Sequence, residues 1–505
     1  MKYSSILLFF IVLSFHHINA QDKHDYIWLS GYHRVGLNPP GTLLNFNENP
    51  VAISATPLLG LMGESAVMSD KEGNLLFYTD GCMVMNRLHQ IMNNGDSLNA
   101  PGIDFDVSCA RDTLGYPLFQ GVLALPTPGQ EHLYTIFHLY SPLYYSNVLH
   151  LLFTTVDMQF ENGLGKVTAK NQYLMQGEMT DCLTAVRHGN GRDWWIVTGE
   201  RNSARYFTFL LSPSGISGPF VQEPDFQYLK INAFSQAVFS PDGTKYARVS
   251  AGGSVLIMYF DRCSGRFFQP KVLEPEKANA FGDGGGGGGS FSPDSRYLYI
   301  SYSTRLYQYD SNSPDKKEEP VLIDEYDGFK DGFPASFYRQ MLAPDGKIYM
   351  CCTNGIRVMH VINQPNEPGK NCDFRQHSLQ LPTPNAIGMN NFPYFRLYDL
   401  PHSVCDTLGI DAPEGITPSP GWVPEDGISL QPNPANDFVY IALAPCDQGK
   451  LRIYNVAGQL MYEISNWRGP GSIELPVSDW PSGIYFVQLH VYQSEQFVKK
   501  LVVMH

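Results

Sequence analysis

Several sets of residues have the types and spacing that could do chemistry. Asp104 and Asp106 lie two apart with Arg111 close behind, and two carboxylates facing one way beside a guanidinium would make an acid/base pair. Acid-rich turns recur along this chain, so solvated loop carboxylates are the preferred reading. His132 and His138 would share one strand face, but six residues at ~3.3 Å each put them roughly 20 Å apart, too far for one metal ion. His188 sits in a turn-like His-Gly-Asn-Gly, where a structural hydrogen bond is expected. Asp193-Trp194-Trp195 and Phe77-Tyr78 could stack sugar rings on an exposed face, although aromatics at strand spacing are more often core.

The longer catalytic patterns are missing. There is no G-x-S-x-G nucleophile elbow, no H-E-x-x-H and no G-x-x-x-x-G-K-[ST] phosphate loop. The run Gly284 to Gly289 before Ser290 lacks the lysine that would meet phosphate, and it is read as a flexible low-complexity loop. No catalytic, cofactor-binding or metal-binding residue is assigned.

The elements that would position such residues are strands. Aromatic residues make up 13%, and 46 Gly with 36 Pro supply turn punctuation, which points to an all-β protein. Length alone, at ~150 residues per domain, suggests about three domains, but a propeller spends several hundred residues on one unit. The net charge of -14 leaves no basic excess to displace counterions, so nucleic acid is excluded as the main partner.

Lys2, the apolar run Ile6 to Phe15 and the small residue Ala20 before Gln21 form an export signal over residues 1–20, cleaved between Ala20 and Gln21. The run is shorter than the roughly 20 apolar residues a spanning helix needs, and no other stretch qualifies. Nine cysteines fit an oxidising compartment without making a disulfide scaffold. Adjacent Cys351 and Cys352 point to opposite faces of a strand, and either one could pair with Cys372.

A turn-plus-strand unit returns along residues 21–401. It reads FSPDGTKYARVS at Phe239 to Ser250, FSPDSRYLYISYS at Phe291 to Ser303 and LAPDGKIYMCC at Leu342 to Cys352. Looser copies begin at Ser69, Pro128 and His188. With Gly73, Gly129, Gly191, Gly243, Ser295 and Gly346 as marks, the intervals are 56, 62, 52, 52 and 51 residues. Pro presets the first turn position, Asp bonds its own backbone, and Gly takes the left-handed position that closes a hairpin. A period near ~50 residues suits the four strands of one propeller blade. Six marks plus a blade shared between Tyr26 to His33 and Tyr394 to Asp399 predict seven blades, with six or eight as alternatives.

These Ser-Pro-Asp-Gly units resemble those of WD-repeat-like propellers in periplasmic and secreted bacterial proteins. The stretches GNLLFYTDG, Gly163 to Asn171, Leu183 to Thr198 and LAPDGKIY resemble propeller regions of surface-associated proteins from gliding-type bacteria. The resemblance implies a fold and a cellular address more than a reaction.

Pro401, Pro413, Pro418, Pro420 and Pro424 mark an extended linker over residues 402–426. Beyond it, residues 427–505 hold short strands at Phe438 to Leu443, Lys450 to Asn455, Gly483 to Val491 and Gln496 to Val503, which indicates a small β-sandwich. The motifs Pro432-Asn433-Pro434-Ala435, Leu451 to Leu460 with Gly458, Pro481 to Val487 with Gly483 and Tyr485, and Lys499-Lys500 to Val503 resemble the type A C-terminal sorting domain of the type IX secretion system. That resemblance implies the secretion machinery as a partner and a secreted or cell-surface destination reached through the periplasm and outer membrane.

Two functions follow. One is a non-catalytic propeller binding a protein or a glycan. The alternative is an extracellular hydrolase or lyase on polysaccharide or peptide, for which Asp, Glu, Arg and Tyr gathered at one mouth of the ring would speak. A flat aromatic face would speak for binding.

Overall fold

The computed structural model describes residues 22–505 except 32–40, 58–60, 62–64, 113, 142–148, 227–234, 251–252, 276–286, 314–318, 386, 402, 411–426, 444–448, 468–470 and 492–495. The export signal, with Ala20 and Gln21, and most of the segment read as linker lie outside the described residues.

The recurring turn sets the fold. All six marks have a left-handed backbone, from Ser295 at φ 63° to Gly73 at φ 92°. Each joins the first two strands of an antiparallel sheet. At Ser240, the backbone N–H donates to Lys245 O (2.9 Å) while Gly243 N–H donates to Ser240 O (2.8 Å), a type I turn closed by a bulge. Neighbouring turns interlock: Asp242 N–H donates to Ser295 Oγ (3.0 Å), and Lys245 Nζ donates to Ser295 O (3.0 Å).

Five sheets of this β-propeller have four strands in sequential order, and they start at Val122, Thr184, Gln236, Gly287 and Phe337. Two more, starting at Ile27 and Ala66, have three. Opening strands of successive sheets touch: Ile27–Ser30 meets Ala66–Ser69, which meets Val122–Pro126. Thr184–Arg187 meets Gln236–Phe239, which meets Gly287–Phe291, which in turn meets Phe337–Leu342. Packing between sheets buries Trp28, Phe77, Trp194, Tyr246 and Tyr299.

The opening strands present free edges to the axis, and buried carboxamides cap them. Gln120 exchanges two bonds with the Ala237 backbone (2.8 and 2.6 Å), and Gln236 Oε1 accepts from Gly289 N–H (3.1 Å) and Gln340 N–H (3.2 Å). Asn390 exchanges two with the Leu29 backbone (3.0 and 2.8 Å), and Asn391 Nδ2 donates to Val122 O and Leu183 O.

Three expectations are corrected. Tyr394 to Asp399 is not a strand: Pro393 supplies no N–H for a ladder, and the segment closes the ring through side chains, Asn390 on Leu29 and Arg396 on Asp25. The glycine run is not wholly a loop, because Gly287–Phe291 is a buried opening strand. A Cβ on Gly288 would meet Tyr338 O and come within 2.8 Å of Arg339 Cα, so glycine is required by close approach of backbone. Cys351, Cys352 and Cys372 are buried free thiols, and among the described residues the disulfides are Cys82–Cys109 and Cys263–Cys405. The second one ties Cys405, in the segment read as linker, to the turn after Val255–Asp261.

The C-terminal unit is a β-sandwich. Leu460–Trp467, Gly449–Asn455, Gly483–Val491 and Gln496–Val503 make one sheet, and Ile428–Gln431, Phe438–Leu443 and Gly471–Pro476 the other. Alternating residues Val439, Ile441, Leu451, Ile453, Val487 and Leu489 fill the space between them. No helix among the described residues is long and apolar enough to cross a membrane.

Candidate functional site

The residues singled out in the sequence are mostly structural. Asp104 is buried and Asp106 exposed at a short π-helix, Phe105–Arg111, and Arg111 pairs with Asp112 at 2.7 Å, so no acid/base pair forms there. His138 is fully buried between Asn99 Oδ1 (2.6 Å) and Thr154 Oγ1 (3.0 Å), and burial pushes its pKa down to about 3. His132 sits in the preceding turn, half-buried. His188 holds a turn: its Nδ1 accepts from Asn190 N–H (3.0 Å), which leaves Nε2 to donate to Cys263 O (3.1 Å). Trp194, Trp195, Phe77 and Tyr78 are core, and Asp193 accepts from Asn190 Nδ2 and pairs with Arg192.

A different cluster gathers at the end of the ring where the opening strands begin. Asp181 and Cys182 precede Thr184–Arg187, Arg248 lies across from Ala237, and Tyr338 and Arg339 open Phe337–Leu342. Tyr206 and Tyr246 stand edge to face at 5.7 Å. Arg248, Tyr206 and Thr180 meet beside Gly199, each within 4 Å of where a Cβ would stand. Arg248 and Arg339 are 3% and 2% exposed, and both act electrostatically on Cys182. Arg339 Nη2 donates to Ser235 O (2.9 Å), and its guanidinium faces the Phe119 ring at 5.3 Å. Arg248 Nε and Nη2 and Arg339 Nε meet no acceptor in hydrogen-bond geometry, and the Tyr206, Tyr246 and Tyr338 hydroxyls lie against these arginines and one another.

Burial sets the protonation here. It raises Cys182, Cys351 and Tyr338 to about 12 and pushes Tyr206 and Tyr246 upward as well. Cys182, Cys351, Tyr206, Tyr246 and Tyr338 are therefore neutral at pH 7, beside two arginines. No single sequence motif marks this site. Its parts come from three sheets, and the shared signal is polar residues inside otherwise apolar strands, as in Tyr-Ala-Arg-Val at Tyr246 to Val249 and Phe-Tyr-Arg-Gln at Phe337 to Gln340.

In the sandwich, the motif residues converge on the last strand. Asn433 Nδ2 donates to Lys500 O (2.8 Å), Asn433 Oδ1 accepts from Val502 N–H (2.8 Å), and Ala435 N–H donates to Val502 O (2.8 Å). Gly458 takes the left-handed turn between two strands at φ 79°. Tyr485, opening from Gly483–Val491, buries its ring and donates to Pro481 O (2.7 Å). Lys500 is exposed opposite Phe486, with Lys499 beside it opposite Val487. Arg266 of the propeller lies 3.9 Å from the Tyr440 ring centroid, and Ser472 Oγ donates to Asp261 Oδ2 (2.6 Å). A cleft of about 660 Å³ runs between the two units, lined by Glu223 and Arg266 on one side and Pro432 and Asn433 on the other.

Residues 429–504 match the family described as a secretion system C-terminal sorting domain. No curated protein matches the chain in sequence. Solved structures similar to it include a putative 6-phosphogluconolactonase from Bacteroides uniformis, 14% identical at a TM-score of 0.41, over 72% of this chain and 98% of that one. The periplasmic gluconolactonase PpgL of Pseudomonas aeruginosa is 14% identical at 0.39, over 71% and 97%. PorZ, a surface component of the type IX secretion system of Porphyromonas gingivalis, is 11% identical at 0.31, over 92% and 63%.

Proposed function

We propose, with a type IX sorting domain at the C-terminus as premise, that this β-propeller is exported through its N-terminal signal and delivered by residues 427–505. There it acts as a non-catalytic binding module for a protein or glycan. A ring of seven blades, built on the two three-stranded and five four-stranded sheets, completes the reading. Pro432, Asn433, Pro434, Gly458, Gly483, Tyr485, Lys499 and Lys500 form the surface and scaffold that the machinery reads, and the type A class is part of the proposal. Exposed Ile484 and Phe486 on the outer face of the same sheet add apolar area beside Lys500.

One observation carries the binding role. The Tyr and Cys groups of the channel cluster are shifted away from neutrality, Cys182 and Tyr338 to about 12, whereas a proton-transfer catalyst needs a group poised near the working pH. The same cluster supports the second reading, a hydrolase or lyase, through Asp181 beside Arg248 and Arg339. The deciding experiment is a screen of the purified full chain against glycans and extracellular proteins, run alongside turnover assays on glycoside, ester and peptide substrates. Capture of a ligand without turnover supports binding. Turnover that disappears in Asp181→Asn replaces the binding reading with the enzyme.

A further inference from the structure

We propose that the Arg248–Arg339 cluster is a carboxylate site, taking the acid group of an acidic sugar at the axis of the ring. The inference rests on the reading of the propeller as a binding module and names the chemistry of its ligand.

The charge pattern argues for it. The whole chain carries 35 Lys and Arg against 49 Asp and Glu, so cations here have ample exposed carboxylates to pair with. Arg396 spends both of its terminal nitrogens on Asp25. Arg248 and Arg339 are equally buried, yet three of their nitrogens meet no acceptor. A buried N–H without an acceptor is unfavourable, and more so on a charged guanidinium. A carboxylate supplies four acceptor positions in a plane that fits such forks.

The surroundings fit a sugar acid. Tyr206, Tyr246 and Tyr338 bring three hydroxyls that can both donate and accept, set against the two arginines and one another. Their raised pKa values keep those hydroxyls protonated, hence able to donate to an anion. Among the described residues Asp181 is the one carboxylate that acts on both Cys182 and Tyr338, so two guanidinium groups face one carboxyl group there. In this desolvated setting each charge-assisted bond is stronger than at the surface.

The test is calorimetric titration of the purified full chain with glucuronate, acetate and glucose at constant ionic strength. Glucuronate is expected to bind, acetate to bind more weakly and compete with it, and glucose not to bind. Arg248→Lys and Arg339→Lys each keep the charge but lose the fork, and are expected to weaken glucuronate at least about tenfold. Tyr338→Phe removes only a hydroxyl and serves if an arginine variant fails to fold; it is expected to weaken glucuronate while leaving the circular dichroism unchanged. Equal binding of glucose and glucuronate, no binding of either acid, or unchanged affinity in the variants overturns the carboxylate site. If the glycan and protein screen yields a ligand indifferent to these substitutions, the binding role stands and this proposal falls. If the screen yields none and the acids do not bind, both fall.

Discussion

Arg396 reaches Asp25 across 371 residues of sequence, its two terminal nitrogens 2.5 and 2.8 Å from the two carboxylate oxygens, with both side chains almost wholly buried. Where a propeller ring has to join its two ends, this chain uses a forked ion pair and the Asn390 carboxamide on Leu29 in place of a terminal strand.

Removing one partner of that pair leaves a buried charge uncompensated. Arg396→Ala is expected to cost roughly 3–5 kcal/mol, read as a lower midpoint in urea unfolding. The double change Arg396→Met with Asp25→Leu is expected to recover much of the loss. A single variant within ~1 kcal/mol of the parent would show that the pair does not hold the ring closed.

Gly288 makes a second check on the ring. A methyl group there meets the backbone of Tyr338 and Arg339, which cannot swing aside, so Gly288→Ala is expected to destabilise by about 1–3 kcal/mol through overpacking. Gly346→Ala meets nothing within 4 Å and bears only the left-handed backbone cost, about 1–2 kcal/mol. Thermal unfolding of both variants distinguishes steric from conformational cost: loss of carboxylate binding is expected for Gly288→Ala alone, because Arg339 is displaced.

The contrast between these glycines shows what sequence could and could not reveal. Gly346 stands in a Pro-Asp-Gly turn whose chemistry is local, so its conformation was legible, as were the other five marks and the sheet each one opens. Gly288 stands in a glycine run that reads as a loop, and only the approach of another sheet's backbone explains it. The channel cluster was hidden for the same reason. Arg248 and Arg339 are 91 residues apart on strands whose burial depends on the closed ring, and neither has a local signature. The sandwich motifs were legible because Asn433 and the last strand carry recurring residue types, although strands Leu460–Trp467 and Gly471–Pro476 were missed.

Cys263–Cys405 closes a separation of 142 residues and anchors the chain just after the ring. In the chain-entropy view a loop of that length is worth at most about 5 kcal/mol, so Cys405→Ser is expected to lower stability by several kcal/mol. Reduction of the parent should lower stability by more, because it opens Cys82–Cys109 as well. An unchanged unfolding midpoint in both would mean the closure at Asp25–Arg396 suffices.

Acid should weaken the fold. His138 and His360 have pKa values pushed down by burial to about 3 and about 4, below an ordinary value of 6.5. Between pH 6 and 5 the unfolded chain binds protons at both while the folded chain binds almost none, so their contribution is present above pH 6.5 and lost on acidification. Asp80 opposes this: burial raises it to about 6, and it takes up one proton in the folded state over the same range. Two protons against one leave stability falling by about 1.4 kcal/mol per pH unit from these three groups. His138→Gln should remove that slope, measured as urea midpoints from pH 7 to 4, and a fold that gains stability toward pH 4 would contradict the assignment.

Asn433 tests delivery more finely than deletion of the domain. Its carboxamide bonds Lys500 O and Val502 N–H, so it clips the Pro-Asn-Pro segment to the strand that carries Lys499 and Lys500. Asn433→Ala removes both bonds, each worth about 1 kcal/mol, without touching the core residues Val439, Leu451 or Val487. The propeller is held by its own closure at Asp25–Arg396 and Cys263–Cys405, so it should fold and bind as before. Transport should not survive, because the terminal strand loses its register against the motif that precedes it. In a host with this secretion system, fractionation is expected to find the variant accumulating in the periplasm while the parent reaches the surface or medium. Lys499→Ala with Lys500→Ala, which leaves the clip intact, separates the two contributions: retention in the periplasm assigns recognition to the basic pair, and normal delivery assigns it to the clipped geometry. Equal delivery of Asn433→Ala and the parent would remove the clip from the sorting signal.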